Sequence, residues 1–193
     1  DFGMSVCETK DSGFFIGGTS YIPNFDYDFF ILRIDTIGNE IWKNVSGFNG
    51  KETISMVVET NDSGIVLLET VYYGAGVGSN MHLQKRDKNG SLKWAKDFGG
   101  SLDEVAYSLR QTPDSGFIFV GTTTSYGNSY ENIYIIKTDS NGTSTANVII
   151  GIGSNPFGLE NEDKTNINIK FQNSSIYFSD IKIDNEPYKD GLK

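Results

Sequence analysis

The chain has 193 residues, a net charge of −9 at pH 7 and no block of Lys or Arg, so binding to nucleic acid or anionic lipid is not expected. The longest strongly apolar runs, such as residues 148–150, are too short to span a bilayer, so no membrane insertion is expected. The single cysteine, Cys7, excludes an intramolecular disulfide and a multi-cysteine metal site.

Two turn signals keep a fixed period along the chain. The triplet Asp-Ser-Gly occurs at residues 11–13, 62–64 and 114–116, at spacings of 51 and 52 residues. The pattern Asp-x-x-Gly occurs at residues 35–38, 87–90 and 139–142, at two spacings of 52 residues. A basic residue stands two places before each Asp-x-x-Gly, namely Arg33, Lys85 and Lys137. The chain is therefore predicted to contain three tandem repeats, at about residues 1–51, 52–103 and 104–148.

Each repeat is predicted to form four short strands. In the best-preserved copy, β-branched and aromatic residues are concentrated in runs at 105–111, 116–122 and 132–137, and a fourth run lies at 91–96 in the preceding copy. In the tight turns, Asp is expected to accept local backbone hydrogen bonds, and Gly or Asn to take the positive φ. Such short connections join successive strands antiparallel, although the link between the second and third strands is longer.

A single four-stranded sheet of this kind cannot bury both of its faces. The alternation of polar and apolar residues is blurred at residues 14–16 and 133–136, which indicates sheets covered on both sides. The predicted fold is therefore all-β, a partial β-propeller of about three four-stranded antiparallel blades followed by a short C-terminal β segment. Trp42 and Trp94 are expected to lie in the core between blades. Three blades cannot close a ring, so further blades of the same polypeptide are expected upstream, or a second copy supplies them.

Three segments resemble one known kind of repeat. They are Asp-Ser-Gly-Phe-Ile-Phe-Val-Gly-Thr at 114–122, Asn-Ile-Tyr-Ile-Ile-Lys-Thr-Asp-Ser-Asn-Gly at 132–142, and Leu-Lys-Trp-Ala-Lys-Asp-Phe-Gly-Gly at 92–100. They are similar to bacterial extracellular β-propeller repeats, which carry D-G-G-F-I-x-x-G-x-T, then D-x-x-x-x-K-x-D-x-x-G-N, then W and F-G-G. The resemblance covers about residues 1–148 and implies an extracellular or cell-surface location.

The chain departs from that repeat pattern at several places. Ser12, Ser63 and Ser115 stand where the family usually has its first Gly. The middle repeat has Leu67-Leu68-Glu69 where the first has Ile16-Gly17-Gly18. Ala146 occupies the Trp position of the third repeat, so the last strand of that blade is expected to be altered or absent.

Residues 149–193 are predicted to form a C-terminal β-rich segment, which is either an irregular closing strand or an incomplete second domain. Alternating apolar residues predict strands at 166–171 and 176–183. Ser-Asn-Pro-Phe at 154–157 resembles, as a degenerate match, the start of type IX secretion C-terminal sorting domains.

Few residues suggest chemistry. The only histidine, His82, aligns with Phe30 and Tyr134 at an ordinary strand position, and no catalytic residue, metal site or cofactor is predicted. The Asp-x-x-Gly turns are better explained by hairpin geometry than by calcium binding, since each offers one carboxylate. An acidic residue also recurs once per repeat, at Asp1, Glu52 and Glu104, which indicates a structural role.

The long loop between the second and third strands is rich in aromatic residues. These form a candidate ligand-binding set: Tyr21, Phe25, Tyr27, Tyr72, Tyr73, Tyr126 and Tyr130. Exposed tyrosines suit peptide or carbohydrate contacts, whereas packing of the loops against each other is the alternative. The sequence thus predicts a non-catalytic interaction scaffold for a protein or glycan partner. The alternative is part of a polysaccharide-active hydrolase or lyase whose catalytic residues lie outside this chain.

Overall fold

The computed structural model describes residues 1–22, 26–47, 50–74, 76–127 and 131–150, together with short strands between residues 165 and 183. The described residues contain strands and turns but no helix, so the fold is all-β as predicted. None of them forms a helix able to cross a membrane. The chain divides into two compact units, Asp1–Gly151 and Ile152–Lys193.

The first unit consists of three four-stranded antiparallel sheets, one for each repeat. Sheet 1 contains β1 (Phe2–Glu8), β2 (Phe14–Ile22), β3 (Asp26–Ile34) and β4 (Glu40–Ser46). Sheet 2 contains β5 (Lys51–Glu59), β6 (Ile65–Tyr72), β7 (Ser79–Arg86) and β8 (Leu92–Phe98). Sheet 3 contains β9 (Glu104–Gln111), β10 (Phe117–Thr123), β11 (Asn132–Thr138) and β12 (Ser144–Ile150). The strands of each sheet pair in chain order, which confirms the predicted antiparallel arrangement.

The last strand of sheet 3 is present, although Ala146 replaces the Trp found in the other two sheets. Ala146 pairs with Lys137, and the register of β12 continues to the pair Ile133 and Ile150. Backbone pairing needs no Trp side chain, so the replacement alters the surface of this strand and leaves its formation intact.

Alternate residues of sheet 2 are buried against different neighbours. Ile65 and Leu67 belong to the core shared with sheet 1, whereas Val66 and Leu68 belong to the core shared with sheet 3. All four side chains are 0% exposed. Because successive side chains of a strand point to opposite faces, a sheet covered on both sides has apolar residues at consecutive positions. This explains the continuous apolar run at residues 65–68, whereas in the runs at 14–16 and 133–136 buried and partly buried residues alternate.

The two turn types differ in which residue takes the positive φ. In the Asp-x-x-Gly turns the glycine does so, with φ of 90° at Gly38, 84° at Gly90 and 76° at Gly142. In the Asp-Ser-Gly turns the expectation that Gly takes it is wrong, because the serines hold φ near 62°. The following glycine is required for another reason: a Cβ at Gly64 would lie 2.5 Å from the carbonyl oxygen of Arg86.

The recurring basic residue forms an ion pair within its own sheet. Nitrogen–oxygen distances are 2.5 Å for Arg33 and Asp11, 2.7 Å for Lys85 and Asp62, and 2.8 Å for Lys137 and Asp114. The third strand thereby fixes the turn that joins the first two strands, which accounts for the coupled recurrence of the two sequence signals.

In the second unit, β13 (Thr165–Asn166) pairs with β16 (Lys182–Ile183), and β14 (Ile169–Gln172) pairs with β15 (Ser175–Phe178). These short strands overlap the two predicted runs at 166–171 and 176–183. The Ser-Asn-Pro-Phe segment at 154–157 lies outside the described residues.

Candidate functional site

Tyr21 and Tyr27 were predicted to lie in the long loop of the first repeat, but they lie on β2 and β3, where they pair and contact each other. The ring centroids of Tyr21 and Tyr27 lie 5.3 Å apart, and Tyr21 is 56% exposed. Lys51 Nζ lies 5.0 Å from the centroid of the Tyr27 ring, within the range of a cation–π contact. Phe25 lies outside the described residues. The pair therefore presents exposed aromatic surface beside a positive charge.

The two tyrosines of the second repeat have different environments. Tyr72 is 42% exposed. Tyr73 is half-buried, and its hydroxyl lies beside the carboxylate of Asp97; burial first, and then the charge of Asp97, raise the pKa of Tyr73 to about 12. Tyr72 is therefore available to a ligand, whereas Tyr73 is held by its own sheet.

Tyr126 of the third repeat is a structural anchor. Its hydroxyl donates to the carbonyl oxygen of Gly99 at 2.7 Å, and its ring centroid lies 5.5 Å from that of Tyr134. The side chain packs against the core between sheets 2 and 3. Tyr130 lies outside the described residues. For Tyr126, packing describes its contacts better than ligand binding does.

Sheet 2 contains a buried polar network that the sequence analysis missed. Glu69 pairs with His82 across β6 and β7, and His82 pairs with Asp97 across β7 and β8. His82 Nδ1 lies 2.5 Å from Asp97 Oδ1. Glu69 is 0% exposed and His82 5%, whereas Asp97 is half-exposed, so the network runs from the surface at Asp97 to the buried Glu69.

The network continues along the same face of β7. The side-chain nitrogen of Gln84 donates to both carboxylate oxygens of Glu69, at 2.7 and 2.9 Å. Arg86 Nε donates to the side-chain oxygen of Gln84 at 2.7 Å, and Arg86 Nη1 donates to the carbonyl oxygen of Gly90 at 3.0 Å. His82, Gln84 and Arg86 alternate along one strand, so they share the face that sheet 2 turns to sheet 1.

The network is arranged to hold a proton. Burial raises the pKa of Glu69 to about 7, against the opposing charge of His82. Burial lowers the pKa of His82, but the hydrogen bond to Asp97 and the charge of Glu69 outweigh it, so that the pKa is raised overall. The hydrogen bond from His82 in turn lowers the pKa of Asp97. Because Glu69 is fully buried, its contacts are made within the protein.

The sequence did contain a signal for this network. His82 is the only histidine, and Glu69 stands where the other repeats have Gly18 and Gly121. A Cβ at Gly18 would overlap the carbonyl oxygen of Phe2 and lie 2.5 Å from the ring of Phe30, so this position of sheet 1 requires glycine. In sheet 2, Glu69 and His82 stand in place of the pair Gly18 and Phe30.

The recurring acidic residue has the structural role that was predicted. Glu104 Oε1 accepts a hydrogen bond from Thr123 Oγ1 at 2.6 Å, and its Oε2 accepts one from the backbone N–H of Gly100 at 2.8 Å. Asp1 Oδ1 likewise accepts from Ser20 Oγ at 2.5 Å. Asp1 and Glu104 thus join the start of one strand to the end of the next.

The Asp-x-x-Gly carboxylates also bind backbone groups. Asp87 Oδ1 accepts from the N–H groups of Asn89 and Ser91, both at 3.0 Å, which is the predicted turn geometry. The described residues contain no group of three or more His, Cys, Asp or Glu side chains that could hold a metal ion.

Two contacts recur between neighbouring sheets. Trp42 Nε1 donates to the carbonyl oxygen of Lys88 at 3.1 Å, and its ring packs over Gly90; Trp94 packs over Gly142 in the same way. The backbone N–H of Lys10 donates to Glu59 at 3.0 Å, and that of Asn61 donates to Gln111 at 2.9 Å. The tryptophans thus lie between sheets, as predicted.

Two clefts accompany the inter-sheet contacts. One, of about 510 Å³, lies between sheets 1 and 2 and is lined by Lys10, Arg33, Trp42 and Lys88 among others. The other, of about 400 Å³, lies along the first strands and is lined by Met4, Ser55 and Tyr107 among others. Arg33 is already engaged by Asp11, and Ser55 Oγ donates to the carbonyl oxygen of Ala106 at 2.8 Å.

Neither a protein-family model nor a curated protein sequence matches this chain.

Proposed function

We propose that the three sheets are an arc of a β-propeller that serves as a non-catalytic interaction scaffold, secreted or at the cell surface. The repeated contacts between sheets support this proposal most directly. The first strand of sheet 2 packs on the first three strands of sheet 1, and the first strand of sheet 3 packs on the first three strands of sheet 2. A constant mode of packing from one sheet to the next is what radial repetition requires.

The scaffold is completed by further blades of the same polypeptide upstream. Regular repeats with unfilled ends expose apolar surface, and Phe2 and Val6 of β1 are 59% and 63% exposed. The net charge of −9 favours partners other than nucleic acid, and we expect no insertion into a membrane.

The binding surface is formed by the exposed part of the loop tyrosines. Tyr21 and Tyr72 each expose a substantial part of the ring, and Lys51 adds a cation beside Tyr27. An exposed aromatic face stacks on the apolar side of a sugar ring or on a peptide, while the hydroxyl supplies a hydrogen bond. A glycan or an extended protein segment is the partner that this surface fits.

A glycan array and a peptide library probed with the full chain test the proposal. The double variant Tyr21→Ala and Tyr72→Ala should weaken binding of any captured ligand by about fivefold to a hundredfold, because each stacking contact contributes roughly 0.5–1.5 kcal/mol. Tyr107→Ala is the matched control, since Tyr107 is 57% exposed but lies on β9, away from these loops. Unchanged binding in the double variant would contradict the tyrosine surface. Turnover of a polysaccharide by the chain would contradict the non-catalytic assignment.

A further inference from the structure

The upstream face of a sheet is defined here as the face that packs on the sheet before it in the chain. In sheet 2 this face includes Val57, and in sheet 3 it includes Leu109; each is 1% exposed. Val6 has the same register position in sheet 1, since Val6, Val57 and Leu109 pair with Ile16, Leu67 and Phe119. Val6 is 63% exposed. The upstream face of sheet 1 therefore exposes an apolar residue, Val6, whose counterparts in sheets 2 and 3 are buried.

The upstream side of sheet 1 also has the two residues, Glu8 and Gly38, that correspond to those receiving the recurring inter-sheet contacts in sheets 2 and 3. Glu8 corresponds to Glu59 and Gln111, which accept the backbone N–H of the preceding sheet, and Glu8 is exposed. Gly38 corresponds to Gly90, and a Cβ at Gly90 would lie 3.2 Å from the Trp42 ring. A Cβ at Gly38 would have no atom of the described residues within 4 Å. A tryptophan ring therefore has room to pack over Gly38.

Large and small residues alternate across the two interfaces that are present. Gly17 of sheet 1 faces Ile54 of sheet 2, because a Cβ at Gly17 would lie 3.1 Å from the Ile54 side chain. At the next interface Leu68 replaces Gly17, Ala106 replaces Ile54, and both lie in one buried cluster. Gly3 holds this position on the upstream face of sheet 1, with open space around its Cβ position. The complement to Gly3 is therefore a large residue such as Leu68.

The downstream face of sheet 3 cannot supply these contacts. Ala146 stands at the position of Trp42 and Trp94, and Pro113 stands at the position of Lys10 and Asn61. Proline has no backbone N–H, so it cannot donate to Glu8. A second copy of this chain, docking through its sheet 3, would lack both of the recurring contacts.

We propose that the upstream face of sheet 1 docks another sheet of the same repeat, one with a Trp in its fourth strand, a free N–H before its Asp-x-Gly turn and a large aliphatic residue at the position of Leu68. The proposal rests on the proposed propeller architecture and identifies the chemistry of the blade that precedes sheet 1. It also gives the array a direction, because sheets can be added before sheet 1 with these contacts but not after sheet 3.

The chain itself offers a suitable sheet for the test. Residues 52–103 contain Asn61, Leu68 and Trp94, and joining a copy of them directly to Asp1 of the full chain keeps the 52-residue period. Hydrogen exchange measured by mass spectrometry should show the amides of β1 exchanging at least tenfold more slowly than in the native chain. The matched control has Trp94→Ala in the added copy alone, which removes the tryptophan as in sheet 3 and should lose most of the protection.

Three results would overturn the proposal. One is an added sheet that is itself protected while β1 exchanges as before; another is an added sheet that stays unprotected, because the face would then have failed to support it. The third is exchange in β1 of the native chain that slows as protein concentration rises, since a second copy would then be the occupant. The readout is independent of ligand binding, so failure of the tyrosine surface leaves this result unaffected.

Discussion

Three serines hold a backbone conformation that favours glycine. Ser12, Ser63 and Ser115 have φ of 63°, 62° and 62°, in the left-handed region. Each also donates its backbone N–H to the threonine carbonyl three residues before, as Ser63 does to Thr60 at 2.9 Å. In the left-handed region a Cβ crowds the backbone at a cost of about 1–2 kcal/mol, which these turns bear in every repeat.

Replacing one such serine by glycine should stabilise the protein. We expect Ser63→Gly to raise the free energy of unfolding by about 0.5–1 kcal/mol, because relief of the strain exceeds the extra entropy of glycine in the unfolded chain. Urea unfolding followed by Trp fluorescence measures the change. Gly64→Ala is the control and should destabilise, since its Cβ would lie 2.5 Å from the carbonyl oxygen of Arg86. A loss of stability in Ser63→Gly would show that the serine side chain contributes more than its conformation costs.

At equivalent positions of the two sheet interfaces, one has an aspartate, Asp28, and the other an asparagine, Asn80. Between sheets 2 and 3, Asn80 lies beside the buried Glu104, and with its amide nitrogen facing the carboxylate the distance is 3.2 Å. Between sheets 1 and 2, Asp28 and the fully buried Glu52 both lie next to Gly47, with Glu52 Oε2 2.9 Å from its Cβ position. Two carboxylates brought this close repel each other when both are charged.

Asp28→Asn should therefore stabilise the interface between sheets 1 and 2. The new amide can donate to Glu52 as Asn80 does to Glu104, and we expect a gain of about 1 kcal/mol in unfolding free energy at pH 7. Asn80→Asp makes the opposite change at the other interface and should destabilise the protein. Urea unfolding of the two variants at pH 7 measures both effects, and effects of the same sign in both variants would refute the argument.

At the scale of strands and sheets, the repeats were predictable because turn chemistry and strand composition are local. Asp, Ser and Gly at fixed spacing identified all three sheets, and Trp42 and Trp94 indicated the interfaces between them. The network around Glu69 and His82 was missed, because whether a polar residue is buried depends on which sheet covers it, and sequence spacing does not show that. The packing of Tyr126 could not be read from the sequence for the same reason: its hydrogen bond to Gly99 joins residues 27 positions apart.

The face of β7 makes sheet 2 sensitive to pH. His82, Gln84 and Arg86 occupy the positions of Phe30, Leu32 and Ile34 in sheet 1, so a polar strip with two ionisable residues replaces an apolar one. The charges that act on Glu69 are those of His82, Arg86 and Asp97 on its own sheet, and the charge of Glu52 acts in turn on His82.

Stability should fall as pH rises from 5 to 8. The pKa of Glu69 is raised to about 7 in the folded protein, and that of His82 is also raised, so the folded state binds more protons than the unfolded chain in this window. Stability then decreases with rising pH, by an amount on the order of 1–3 kcal/mol. The pKa of Asp114, lowered to about 2 by its hydrogen bond to Lys137, acts at lower pH and with the opposite sign.

Glu69→Gln isolates the source of this pH dependence. The amide keeps the size of the side chain and does not titrate, so the slope of unfolding free energy against pH should become markedly flatter between pH 5 and 8. Urea unfolding at four pH values gives the slope for both proteins. Glu59→Gln is the matched control, because Glu59 is a partly buried glutamate on the same sheet that hydrogen-bonds to the backbone of Lys10. An unchanged slope in Glu69→Gln would assign the pH dependence to other groups.

For the three sheets as a whole, the middle one is covered on both sides. Seven apolar residues of β6 and β7 are 0% exposed: Ile65, Val66, Leu67, Leu68, Val71, Met81 and Leu83. By contrast, β1 exposes half or more of Phe2, Met4 and Val6. In a linear array each sheet gains stability from its neighbours, so the middle sheet should open last and an end sheet first.

A pair of adjacent substitutions can separate the two interfaces. Leu67 and Leu68 are consecutive, of one type and equally buried, yet Leu67 belongs to the core with sheet 1 and Leu68 to the core with sheet 3. Each change to Ala should cost about 2–5 kcal/mol. Hydrogen exchange should then accelerate mainly in β2 and β3 for Leu67→Ala, and mainly in β10 and β11 for Leu68→Ala. In the unsubstituted protein, β6 should be the strand that exchanges most slowly. If both variants loosened the same strands, the three sheets would unfold as one unit, and stability would not be divided between neighbouring interfaces.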